Sequence, residues 1–358
     1  MAHDSESARS HIHRPDGHCC GVSRRSFLQT TALVTGAALL PGTLLAQSGG
    51  PGSGRRIDTH FHFYPRELVD QLGSGVGKKW SPQVALDQMD KNGVASSVFS
   101  LSSVPEQWWR NDAQWMRKTS RLINDYAAQL VRDKPKRFGL WGFLPMNDVD
   151  GSLKEIEYVF DTLKADGIGI ATNYGDKWPG DPKFTPIFEE LNRRKAVVYF
   201  HPNAPFCCGN LMPNIGSSWI EYPHDTTRAV VSLLFNGTFV KFRDIKFLFS
   251  HGGGTIPMLA GRLASSTRRV KNLSTVAPNG VIAEFQRLHY DTANATSAPT
   301  MAAVMKLIPI PQLVFGSDFP YYTQEENIDG LQKLGLSDAD LNAIYHENAY
   351  RLVPRLKA

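Results

Sequence analysis

Eight short runs of apolar, β-branched and aromatic residues recur along this chain of 358 residues, and their regular recurrence constrains the fold more than any other feature. They lie at 57–63, 95–101, 138–144, 167–173, 196–200, 245–250, 288–292 and 312–317. Near-continuous apolar character suits parallel strands buried on both faces, whereas a strand with one wet face would alternate. Helix signals separate the runs. Leu153, Ile156, Phe160 and Leu163 make one apolar stripe, opened by Asp150 and closed by Gly167. Asp181 before Pro182 has the form of an N-cap with proline in the first turn. Ser337 with Asp340 three residues on opens a last helix carrying Leu341, Ile344 and Tyr345. Eight strands alternating with helices predict an α/β fold, a single TIM-type (β/α)8 barrel over 57–358 rather than two domains.

The first 56 residues lack this pattern. Ser23-Arg24-Arg25-Ser26-Phe27-Leu28 is a twin-arginine sequence, and a mostly apolar stretch, 30–45, follows it. That stretch is short for a transmembrane helix and is interrupted by Gly36, Pro41 and Gly42, so no stable membrane anchor is expected. Residues 1–46 resemble a bacterial Tat signal peptide, with cleavage after Ala46. The mature protein is then periplasmic, or cytoplasmic where the signal is not used. Residues 47–56, rich in glycine and serine, read as a flexible linker.

Composition narrows the partners. Hydrophobic residues at 42% exclude a disordered chain. A net charge of +5 without any block of like charge gives no footprint for a nucleic acid. Cys19 and Cys20 leave with the signal. Cys207 and Cys208 remain, as a vicinal disulfide or as free thiols, and no C-x-x-C spacing points to structural zinc.

In a barrel of this kind the chemistry sits at the C-terminal ends of the strands, and here those ends are polar. The first is Asp58-Thr59-His60-Phe61-His62, where period-two alternation puts both histidines on one face. The fifth ends in Phe200-His201-Pro202, the sixth in Ser250-His251-Gly252-Gly253-Gly254, and the eighth in Gly316-Ser317-Asp318-Phe319-Pro320. An isolated H-x-H says little, but three imidazoles and a carboxylate gathered from separate strands suit a borderline divalent cation such as zinc. The glycines after His251 leave backbone that a ligand can approach closely. His224, His289 and His346 stand in loop or helix contexts and read as structural. Trp108, Trp109 and Trp115 after the second strand, and Phe206, Trp219 and Tyr222 after the fifth, either wall an aromatic pocket or simply pack.

From residue 57 to the end, these motifs resemble the amidohydrolase superfamily, in particular its branch of α-amino-β-carboxymuconate-ε-semialdehyde and 6-methylsalicylate decarboxylases. The resemblance rests on H-x-H at His60 and His62, H-P at His201, H-G-G-G at His251 and G-S-D-x-P at Asp318. Gly-Asp-Lys-Trp and Glu-Leu-Asn-Arg-Arg-Lys, both between 167 and 201, look most like the 6-methylsalicylate type. The resemblance implies that His60, His62, His201 and Asp318 bind one divalent ion, zinc or else manganese, with His251 just outside as a catalytic group. Binuclear relatives need a carboxylated lysine at the end of strand four, and Ala171-Thr172-Asn173-Tyr174 has none. Dihydroxybenzoate decarboxylases typically carry glutamate where this chain has His60 and Gly254, so their proton relay does not transfer directly.

The implied activity is non-oxidative decarboxylation of a salicylate-like aromatic or related unsaturated carboxylic acid. Asp318 would deliver the proton to carbon, or His251 would first activate water at the metal; the sequence leaves both routes open. A hydrolase or hydratase using the same activated water is the alternative on this scaffold. Arg262, eleven residues after His251, is implied to reach a neighbouring subunit and bind the substrate carboxylate, which requires a homodimer or larger homo-oligomer.

Overall fold

Backbone hydrogen bonding turns the eight apolar runs into eight strands: β1 Arg56–His62, β2 Val94–Ser100, β3 Phe138–Phe143, β4 Gly167–Ala171, β5 Val197–His201, β6 Lys246–Phe249, β7 His289–Asp291 and β8 Leu313–Val314. This computed structural model describes residues 54–357, apart from 73–74, 111, 209–210 and 269–271. The expected signal peptide, its cleavage point and most of the expected linker lie outside the described residues. Arg56, placed in the linker by sequence, is instead the buried first residue of β1, its guanidinium donating to the Asn92 carbonyl at 2.9 Å.

The strands pair in chain order and in parallel. A helix follows each one: α1 Pro82–Lys91, α2 Ala113–Asp133, α3 Val149–Glu157, α4 Thr185–Arg193, α5 Ser217–Phe235, α6 Ile256–Ala264, α7 Ala298–Leu307 and α8 Gln324–Gln332. The seam between β8 and β1 is stitched by Thr59 N–H to the Phe315 carbonyl at 2.9 Å, His62 N–H to Phe319 at 2.8 Å and Asp318 N–H to His60 at 2.9 Å. Among the described residues no helix is long and apolar enough to cross a membrane.

Helix starts follow local chemistry. Asp181 accepts the Lys183 N–H at 2.9 Å ahead of a 3-10 turn that runs into α4. Ser337 caps Asp338–Asn342. At α3 the cap is Asp148, which accepts the Gly151 N–H at 3.1 Å, rather than Asp150 as expected. Asp150 falls inside the first turn, where its charge still complements the helix dipole.

Inside the barrel, Ile57, Val98, Trp141, Val197, Tyr199, Leu248 and Val314 form one apolar plug, closed by Ala349, Leu352, Val353 and Leu356 of the C-terminal segment. A register irregularity between Asp58 and Phe61 changes the parity of β1. Ile57 therefore joins the plug while His60 and His62, out of phase with it, join the polar layer above. The interior is thus apolar at one end and ionisable at the C-terminal ends of the strands.

Candidate metal centre

The polar layer is a ring of side chains from β1, β5 and the turn after β8. One nitrogen or oxygen from each of His60, His62, His201 and Asp318 lies within 4.8 Å of the others, and all four residues are buried. His60 Nε2 and His62 Nε2 are 3.2 Å apart, and Asp318 Oδ1 is 2.9 Å from the latter and 3.3 Å from the former. Burying imidazoles with their lone-pair nitrogens facing one another and a carboxylate is costly unless a cation sits between them. Three nitrogens and one oxygen match the donor set of zinc and of other borderline divalent ions. A divalent metal site follows from this cluster.

Proton affinities carry the same message. Burial disfavours a charged His60, but Asp291 and Asp318 outweigh it and push its pKa up to about 10. The two carboxylates thus hold a positive charge at His60 even where a proton stands in for an ion. Burial lowers the pKa of His62 and lowers that of His201 well below the ordinary value, the latter reinforced by the neighbouring imidazoles of His62 and His60. Burial would also raise Asp318, yet His60 and hydrogen bonds to three imidazoles hold it well below the usual carboxylate range.

Two of the six described non-glycine residues with positive φ are His251, at 55°, and Asp318, at 66°. Left-handed backbone at such residues costs energy and concentrates at functional sites. The turn at Asp318 is secured by Asp58, a fully buried carboxylate that accepts Ser317 N–H at 3.0 Å and Gln324 Nε2 at 2.8 Å. His251 Nε2 lies 3.3 Å from Asp318 Oδ2, on the oxygen that does not face the other two histidines. The glycines that follow have a second purpose beyond ligand approach. A Cβ on Gly254, which has φ +65°, would stand 2.0 Å from the Pro223 carbonyl of α5.

The end of β4 explains why a second ion has no ligand there. Thr172 Oγ1 donates to Asp225 at 2.5 Å and accepts the Asn203 N–H at 3.0 Å, while Asn173 Nδ2 donates to Asp225 at 2.6 Å. These side chains pin the strand to α5.

Above the cluster opens a cavity of about 590 Å³. His201, His251 and Asp318 reach it from below, and Trp219, Tyr222 and Tyr321 are among its walls. Among the described residues, no lysine or arginine lines it. The expected aromatic wall therefore divides. Trp219 and Tyr222 border the cavity, whereas Trp108 packs on Trp115 and Trp109 on Tyr174. Phe206 lies under Arg110. Arg262 is exposed on α6 and does not border its own chain's cavity. His224 bonds the Ile220 carbonyl at 2.7 Å, and His346 packs on Tyr350. His289 is not in a loop or helix: it heads β7, at the end of the strand away from the cluster. Cys207 and Cys208 are bonded to each other.

Sequence reasoning missed Asp58 and Asp291. Asp291 ends β7 and receives His60 Nδ1 at 2.9 Å. The polar-strand-end rule that found the histidines would have flagged it, in Tyr290-Asp291-Thr292.

Residues 57–355 match the amidohydrolase family. The chain belongs to that family. Its curated relatives include a decarboxylase of Penicillium terrestre, 31% identical over 84% of this amidohydrolase and 96% of the relative. They also include the 6-methylsalicylic acid decarboxylase of Penicillium expansum, 29% identical over 84% and 97%. Among solved structures, a dihydroxybenzoic acid decarboxylase from Polaromonas, with bound manganese and the inhibitor 2-nitroresorcinol, superposes with a TM-score of 0.74 at 20% identity, over 85% of this chain and 98% of that one.

Proposed function

We propose that this amidohydrolase removes carbon dioxide, without oxidation, from a salicylate-like aromatic or related unsaturated carboxylic acid, with one divalent ion held by His60, His62, His201 and Asp318. The reading is carried by the meeting of His251 and Asp318 beside the cluster, at the floor of a cavity walled by aromatic side chains, in a chain whose relatives are decarboxylases. The donor set favours zinc, and the manganese of the Polaromonas protein makes that ion the alternative. Bound there, the ion supplies positive charge that orients the acid's oxygens and stabilises the electron pair left on carbon.

The remaining work falls to the chain. The bond between the carboxylate and the neighbouring carbon breaks, its electron pair stays on that carbon, and one proton must arrive there. Asp318 Oδ2 lies 3.3 Å from His251 Nε2, so a proton handed on by Asp318 enters from His251. Trp219, Tyr222 and Tyr321 offer faces for a planar ring and keep it over the floor. With no described lysine or arginine lining its own cavity, the chain needs a cation from elsewhere for any carboxylate the ion leaves free. Exposed Arg262 fits that role in the cavity of a neighbouring subunit, within a homodimer or larger assembly. Residues 1–46 direct the folded protein to the periplasm.

The test is direct. Protein loaded with zinc or manganese is incubated with 6-methylsalicylate and 2,6-dihydroxybenzoate, and released carbon dioxide and the decarboxylated phenol are measured. Stoichiometric release is expected from at least one such acid. Turnover of lactones or amides with no carbon dioxide from any acid would move the site to the hydrolase reading.

A further inference from the structure

Among the described residues, one carboxylate outside the ligand set touches both halves of the site. Asp291 is fully buried at the end of β7. Its Oδ2 accepts from His60 Nδ1 at 2.9 Å. Its Oδ1 accepts the backbone N–H of His251 at 2.9 Å and that of Ala293 at 3.0 Å. The other two imidazoles are held differently. His62 Nδ1 is 3.2 Å from the neutral Ser100 carbonyl, and His201 Nδ1 is buried without a hydrogen-bond partner.

We infer that Asp291 is a positioning residue that couples metal capture to proton delivery, one oxygen orienting the ligand His60 and the other holding the backbone of His251. The first contact fixes the tautomer. A carboxylate opposite Nδ1 keeps the ring proton there and leaves Nε2, which faces His62 and Asp318, bare for an ion. The second contact holds a strained residue. His251 has φ +55°, and its N–H, turned away from the ordinary strand ladder, finds its acceptor in Asp291. That tether keeps His251 Nε2 within 3.3 Å of Asp318 Oδ2. A carboxylate that merely terminated β7 would need only the Ala293 N–H.

The inference rests on the metal-site reading, and the experiment separates the two. Asp291→Asn keeps the shape and removes the charge, and Asp291→Ala removes both acceptors. Zinc affinity is measured on each by chelator competition, and kcat and KM for a decarboxylated acid are measured at saturating zinc. Outer-sphere partners of this kind typically change metal affinity about 10- to 100-fold. A loss of that order is expected in both variants, together with a fall in kcat at saturating zinc that leaves KM nearly unchanged. Unchanged affinity, or full kcat once zinc saturates, overturns the coupling. His60→Ala is the control: if it retains zinc, the metal reading itself fails, whatever Asp291 does. Should the Asp291 variants not fold, amide hydrogen exchange on the unaltered zinc protein decides. The His251 N–H should exchange as slowly as the strand amides of β6, and exchange at open-loop rates overturns the tether.

Discussion

His251 and the ligands it faces differ in what each one touches, and that difference should appear on substitution. His60, His62 and His201 present nitrogens to one shared centre with Asp318 Oδ1, whereas His251 turns its Nε2 to Asp318 Oδ2 and packs its ring against that of His60. Wild-type protein should hold about one ion per chain by elemental analysis, since the cluster offers four ligands and β4 offers none. His60→Ala and Asp318→Ala should each lower that content. His251→Ala or His251→Asn should keep it while decarboxylation slows by about 10²- to 10⁴-fold, the range of a lost general acid or base. A folded His251 variant stripped of its ion would place His251 among the ligands instead. These five residues were legible in the sequence because histidine and aspartate at barrel strand ends have few other reasons to be there. Asp58 and Asp291 were not, because a carboxylate's role depends on partners: Asp58 answers to Ser317 and Gln324, and Asp291 to His60 and His251, all far away in the chain. The role expected of Arg262 rests on resemblance alone, since Arg262 does not border the cavity of its own chain.

At the scale of elements, two loci tie local conformation to stability. The turn from β6 into α6 runs through left-handed backbone at four successive residues, 251 to 254. Gly254→Ala puts a Cβ 2.0 Å from the Pro223 carbonyl at a φ that alanine disfavours. Strain and overpacking together should lower stability by about 2–4 kcal/mol in urea titrations; a loss below that range would mean that α5 yields easily. The head of β7 is the second locus. Burial lowers the pKa of His289 to about 4, and its Nδ1 has no hydrogen-bond partner. A histidine whose folded pKa lies below its unfolded value of about 6.5 binds fewer protons folded than unfolded between those limits. Its stabilising share is complete above pH 6.5 and drains away as pH falls toward 4. Moving from pH 7 to pH 5 should remove about 2 kcal/mol of unfolding free energy through this group. His289→Gln should flatten that part of the stability–pH profile, and an unaltered slope would assign it to other groups. Element positions themselves were legible to within a residue or two, β8 being the exception. Its apolar run covers 312–317, but only Leu313–Val314 pair with β7, because the backbone beyond turns to bond β1 and to place Asp318.

The whole molecule makes its active site last. The four ligands lie between residues 60 and 318 and meet only when β8 closes on β1, so a metal-loaded site requires an almost completely folded chain. Barrel closure was legible because eight parallel strands leave no other way to pair both edges, whereas the expected homo-oligomer rests on resemblance alone, because an exposed arginine such as Arg262 looks the same on a monomer and at an interface. The order of events bears on export. A route that threads unfolded chains would deliver the protein without its ion and leave metal selection to the periplasm. The twin-arginine route carries folded proteins and allows the ion to be captured first. Replacing Arg24 and Arg25 together by lysine should therefore trap the precursor in the cytoplasm, still folded and still holding about one ion per chain, because both positions precede the barrel. Fractionation with metal analysis of each pool checks this, and the exported wild-type chain should begin at Gln47 by N-terminal sequencing. Mature-length protein in the periplasm at wild-type levels despite the paired lysines would show that the chain crosses by another route, and that its ion is acquired after crossing.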